Sequence, residues 1–88
     1  MKQHITKEQW DELDDDKKVK YMNVNAILPR AKYYELITIG QMIEFLGNNI
    51  TKISCGFTGN WQIKGVYESE AHKELADALW EAVKYKLK

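Results

Sequence analysis

An α+β fold is expected for this chain on three observations. Two similar nine-residue phrases each open a helix, a stretch of strand-like alternation folds back on itself, and a long amphipathic run follows it. The architecture these imply is short N-terminal helices, a central helix, a β-hairpin with a third short strand as an option, and a long C-terminal helix packed on the sheet. At 88 residues the chain fits one small globular domain, residues 1–88. At this size folding buries only about 60–65% of the surface that the unfolded chain exposes, so the margin of stability is modest.

The helix-start phrase is Ile5-Thr6-Lys7-Glu8-Gln9-Trp10-Asp11-Glu12-Leu13, and it returns as Ile37-Thr38-Ile39-Gly40-Gln41-Met42-Ile43-Glu44-Phe45. In each copy the Thr hydroxyl can accept the amide N–H of the third helical residue. The Gln side chain can reach back to the Thr backbone N–H. The Ile before each Thr can pack on the Trp or Met that follows the Gln, a hydrophobic staple. The similarity does not extend beyond the phrase, and two copies are too few for a solenoid. Convergence on good capping chemistry accounts for it.

The first helix is expected from Lys7 to about Leu13. Asp14, Asp15 and Asp16 then interrupt the apolar pattern. Three consecutive Asp are poor in a helix interior and good at a start, so a second short helix capped by Asp14 is preferred to one continuous helix. It would carry Val19 and Met22 on one face, with Tyr21 beside them. Pro29 turns Leu28 away from helical geometry. Residues 32–37, with Lys32, Tyr33, Tyr34, Leu36 and Ile37, suit a short edge strand. Thr38 opens the central helix, Ile39 to about Leu46. Its stripe is Ile39, Met42, Ile43 and Leu46, and Gly47 is a natural stop.

Residues 50–67 alternate as a hairpin. Ile53, Cys55 and Phe57 share one side of the first strand, and Trp61, Ile63, Gly65 and Tyr67 one side of the second. Thr58, Gly59 and Asn60 supply the turn. Gly56 and Gly65 lie inside the strand pattern and mark bulges or a close approach by a helix. Ser69 is expected to cap the last helix, Glu70 to about Leu87. Its core stripe is Leu75, Leu79, Ala82, Val83 and Leu87, with Trp80 beside it, and Leu75, Leu79 and Val83 should meet one hairpin face.

Thirteen basic and thirteen acidic residues balance, and no segment is basic enough for general DNA binding. Cys55 is the lone cysteine, which excludes an intrachain disulfide. No signal-peptide pattern and no apolar run of membrane length are visible, so a cytoplasmic location is expected. His4, His72 and Cys55 lack ligand spacing, and Glu68 and His72, four apart, read as a surface pair rather than half a metal site. Cys55, mid-strand between Ile53 and Phe57, is expected to be a buried structural thiol. The glycines are scattered and form no phosphate cradle. The chain is therefore expected to be no enzyme and to need neither metal nor cofactor.

Aromatic residues exceed what the core obviously needs. Trp61, Tyr33 and Tyr34 have two readings, cover for the edge of the core or anchors of a protein contact. Asp14, Asp15 and Asp16 would steer a basic partner. The competing reading is a small single-stranded DNA- or RNA-binding domain using Arg30, Lys32, Lys52 and Lys64 beside the aromatics. An unpaired hairpin edge leaves room for a homodimer.

Three blocks carry a resemblance: residues 5–13, the run Ile-Thr-Ile-Gly-Gln-Met-Ile-Glu-Phe-Leu at 37–46, and Ala-Asp-Ala-Leu-Trp-Glu-Ala-Val-Lys at 76–84. Together they resemble short uncharacterised proteins encoded by phages and prophages of Gram-positive bacteria. In that family the segment before the middle block is longer and richer in Trp and Pro, and residues 23–36 depart from it. The resemblance implies an accessory factor that binds and inhibits a bacterial host protein, including defence nucleases of the CRISPR type. It implies no chemistry at particular residues.

Overall fold

The computed structural model describes the backbone of residues 2–25 and 33–88, and the side chains of 2–22 and 34–88. The elements are α1 (Lys7–Trp10), α2 (Asp15–Asn25), a 3-10 turn (Tyr33–Leu36), α3 (Ile39–Leu46), a 3-10 turn (Gly47–Asn49), β1 (Ile50–Cys55), β2 (Trp61–Gly65) and α4 (Leu75–Leu87). The fold is α+β. Strands β1 and β2 form a two-stranded antiparallel sheet, and α4 packs against β2 on one flank and α3 on another.

The two helix-start phrases meet in space. Ile5 N–H donates to the Ile37 carbonyl at 3.2 Å, and Ile39 N–H to the Gln3 carbonyl at 3.0 Å, an antiparallel bridge between His4 and Thr38. At α1 the capping box is complete, with Gln9 N–H on Thr6 Oγ1 at 3.1 Å and Thr6 N–H on Gln9 Oε1 at 2.9 Å. At α3, Gln41 N–H donates to Thr38 Oγ1 at 3.2 Å, while Gln41 Oε1 accepts the Tyr21 hydroxyl. Ile5, Ile37, Trp10 and Met42 are all buried, as two hydrophobic staples require.

Helix α1 stops at Trp10, short of the expected Leu13. Glu12 and Leu13 donate to the carbonyls of Gln9 and Trp10, tightening the chain into turns. Asp14 then caps α2 through a 2.8 Å bond from Lys17 N–H, so two helices form, as expected. Among the described side chains of α2, Tyr21 is buried and Met22 packs partly buried on the core, whereas Val19 is half exposed. The Tyr21 ring lies tilted against Phe45, with centroids 4.7 Å apart, and edge-on to Trp10 at 6.2 Å. A ring that buries more apolar area and places its hydroxyl on Gln41 turns α2 to suit itself.

Residues 33–36 are a 3-10 turn and not a third strand. Ile37 N–H closes onto the Tyr34 carbonyl at 3.1 Å, and the neighbouring segment offers only the single bridge at Thr38. Leu28, Pro29 and Lys32 lie outside the described residues. Helix α3 and its stop match expectation: Gly47 has φ +51° and its N–H reaches the Ile43 carbonyl.

In the hairpin, Ile53 pairs with Ile63, Lys52 with Lys64, Ile50 with Gly65, and a bulge falls between Ile50 and Lys52. The extra residue, Thr51, resets the alternation, so Ile50 and Ile53, three apart, both pack on the core. Gly65 sits at the bulge with φ +149°, and a Cβ there would clash with the Asn49 carbonyl oxygen. That close approach explains the glycine and ends β2 before the expected Tyr67. The turn spans Gly56 to Asn60, with Gly59 at φ +80°.

Ser69 does not cap the last helix. Helix α4 begins at Leu75 after Glu74, whose side chain makes no capping bond. Ser69 is instead buried against β2: its Oγ accepts Ile63 N–H at 2.9 Å, and its own N–H donates to the Ile63 carbonyl at 3.0 Å. Two further bonds join His72 and Trp61, at 2.8 and 2.5 Å. Residues 69–72 thus seal the outer edge of β2, because buried backbone groups there need partners.

Leu75, Leu79, Ala82, Val83 and Leu87 are buried, as the stripe predicts, and so are Ala76, Ala78 and Trp80. They widen the stripe on both of its sides, with Ala78 on one and Trp80 on the other.

Gly65→Ala should cost at least about 2 kcal/mol, since it adds a backbone clash to a strained φ. Ser69→Ala should cost about 1–3 kcal/mol by orphaning the Ile63 amide. Urea unfolding midpoints measure both, and a wild-type midpoint in either variant would show that these contacts do not hold the hairpin.

Candidate functional site

The residues singled out by sequence divide into three groups. Trp61 is half-buried, packs on the core, and has its backbone paired with Cys55 on one side and His72 on the other. Tyr34 is also half-buried on the core, its ring 6.2 Å from that of His4. Both therefore serve the core edge and keep only part of their surface for a partner. Tyr33 opens the 3-10 turn. Asp14, Asp15 and Asp16 are exposed at the start of α2, and Asp14 is engaged as its cap. Lys52 and Lys64 are exposed cross-strand partners on the outer face of the hairpin. Arg30 and Lys32 lie outside the described residues.

Burial falls along the hairpin. Ile63 is fully buried, Ile53 and Trp61 are half-buried, Cys55 is exposed, and Phe57 is fully exposed. The expectation of a buried Cys55 is therefore wrong: beyond the Ile53–Ile63 pair the cover reaches Trp61 on β2 but not Cys55 beside it on β1. Cys55 also ends its strand, with its thiol 3.8 Å from the Gly56 carbonyl oxygen. Phe57, expected on a strand face, stands on the turn. The signal for it is present in the sequence: an aromatic between Gly56 and Gly59 has no strand face left to occupy.

Two polar clusters tie segments together. Lys2 Nζ lies 2.5 Å from Asp77 Oδ1 and donates to Gln9 Oε1 at 2.8 Å, and Gln9 Nε2 donates to Asp77 at 2.8 Å. This joins the N-terminal segment and α1 to the first turn of α4. Partial burial opposes the Asp77 charge, but the bonds from Lys2 and Gln9 and the Lys2 charge outweigh it, holding the carboxyl below its usual range. In the second cluster His72 Nε2 lies 3.0 Å from Glu81 Oε1, while Glu81 Oε2 accepts Glu70 N–H at 2.6 Å. Glu81 thereby pins the 69–72 segment to α4. A His–carboxylate pair can orient a base, but the nearest hydroxyl in sequence, Ser69, is committed to β2. The expected Glu68–His72 pair gives way to His72–Glu81, since residues 68–72 are not helical. Among the described residues no three His, Cys, Asp or Glu side chains group as metal ligands.

The Asp77 geometry fixes a sign. A carboxyl held low in the folded state adds stability that is complete above the unfolded value near 3.8 and is lost as pH falls through the folded value. Asp77→Asn should be less stable than wild type at pH 7 and converge with it in strong acid. Urea unfolding at both pH values tests this, and an equal deficit at both would refute it.

No family model, curated protein or solved structure matches the chain.

Proposed function

We propose that the protein is a non-catalytic accessory factor of phage type that acts by binding a bacterial host protein, with the distal end of the hairpin as its contact. The observation that carries this reading is Phe57, fully exposed on the turn with exposed Cys55 and half-buried Trp61 behind it. Burying one Phe side chain contributes about 1.5–3 kcal/mol, enough to make a single anchor count in an interface. Trp61 supplies a rigid base for the tip, because its backbone is paired on both sides. The exposed Asp14, Asp15 and Asp16 would speed association with a basic partner. The resemblance to prophage proteins supports a cytoplasmic host protein, with defence nucleases of the CRISPR type as one class of target. No helix of the described residues is long and apolar enough to cross a membrane.

A second reading has one specific observation behind it. Lys52 and Lys64 lie directly opposite on the outer face, an unfavourable like-charge pair that a phosphate would relieve. Single-stranded nucleic acid could then stack a base on Phe57.

The two readings separate in one set of measurements. Immobilised wild type should retain a host protein from a Gram-positive bacterial lysate that Phe57→Asp of equal thermal stability does not retain. Retention unchanged by Phe57→Asp would remove the tip from the interface. Oligonucleotide binding with a log–log salt slope of about −1.4, as two phosphate contacts on a single strand give, would establish the second reading instead.

A further inference from the structure

The sheet has two edges, and they are treated differently. The outer edge of β2 is sealed by residues 69–72, with Ser69 on Ile63 and His72 on Trp61. Because Trp61 and Ile63 turn their backbone groups toward that segment, their cross-strand partners Cys55 and Ile53 turn theirs away from β2, toward the outer edge of β1. Among the described residues nothing accepts or donates there. We infer that this edge of β1 pairs with the β1 edge of a second copy, antiparallel about a two-fold axis at Ser54, to make a four-stranded sheet. This pairing is independent of the function proposed above.

Four features of the edge select a second copy. The open stretch is short, with the Thr51 bulge below it and the Gly56 turn above. Only the register that sets Ile53 against Cys55 of the other copy gives both outward-facing residues a partner, and it does so twice by symmetry. In that register Lys52 faces Gly56 of the other copy, so no like charges oppose. The half-buried Ile53 and exposed Cys55 share the core-side face, and pairing extends that apolar face where cover gives out. Charge does not oppose association either, since the chain carries no net charge near neutral pH. With one edge open and the other sealed, the pairing stops at two copies and cannot grow into a fibre.

The register makes a distinctive prediction. Ser54 of one copy would lie opposite Ser54 of the other as a non-hydrogen-bonded pair, where Cα atoms approach to about 4.5 Å, within disulfide reach. Cys55 would instead lie opposite Ile53, with the second Cys55 too far away. The Ser54→Cys/Cys55→Ser double variant, treated with oxidised glutathione, should therefore form a disulfide-linked dimer at least tenfold faster than wild type does through Cys55. Sedimentation equilibrium of wild type from micromolar to millimolar concentration should show a monomer–dimer equilibrium. Cys55→Pro removes one outward N–H and leaves the β1–β2 ladder intact, so it should raise the dimer dissociation constant at least tenfold with unchanged circular dichroism. Wild type that stays monomeric throughout, or crosslinks through Cys55 as fast as the double variant does through its single relocated thiol, would overturn the inference. So would a dimer abolished by Phe57→Asp and untouched by Cys55→Pro, which would place the contact at the hairpin tip.

Discussion

Helix α4 buries eight of its thirteen residues, an arc too wide for a two-stranded sheet to cover alone. Strand β2 takes one flank and α3 the other, and Tyr21 of α2 closes over Phe45 at the edge of α3. The small residues Ala76, Ala78 and Ala82 contribute to the width of that arc, since each is buried without holding neighbours away. The placement of nearly every other element follows from this demand. The two helix-start phrases bridge each other because α1 and α3 must be anchored around the same post, and Lys86 reaches the Phe45 carbonyl at 2.5 Å to fasten the end of α3 to it.

The polar side chains largely answer backbone and tie-down needs. Thr6, Thr38 and Asp14 each satisfy a helix start, Ser69 satisfies a strand edge, and Glu81 holds the sealing segment through both its carboxylate oxygens. Lys2, Gln9 and Asp77 fasten the N-terminal segment to α4. Trp80 Nε1 is buried and has no partner among the described residues, a cost of about 1–3 kcal/mol accepted for the area its ring buries.

Cover for the hairpin ends partway along it, and the two proposed contacts both arise there. Core packing governs the proximal half, where the bulge and Gly65 hold β1 against β2. Past Ile63, Trp61 alone still packs on the core, while Phe57 stands exposed on the turn and the backbone of Ile53 and Cys55 runs along one edge. The exposed turn, and an edge of β1 that no described residue pairs, offer two separate surfaces, one read by a side chain and one by backbone hydrogen bonds.

Much of the fold was legible in the sequence because it is set by local chemistry. Thr, Gln and flanking apolar residues specify helix starts within a few positions, Asp14 divides the first two helices, Gly47 stops the third, and strand alternation marks the hairpin. What failed depended on partners distant in the chain. Ser69 looks like a helix cap because its neighbours cannot announce that the edge of β2 needs a seal. Residues 33–36 have strand propensity, yet only one bridge awaits them at Thr38. Cys55 keeps the period of a buried strand, and nothing local records where cover for that face ends. Capping and turn geometry are decided within one helical turn of the residue concerned. Burial and edge pairing are decided by where the other elements end, and that is a property of the assembled molecule alone.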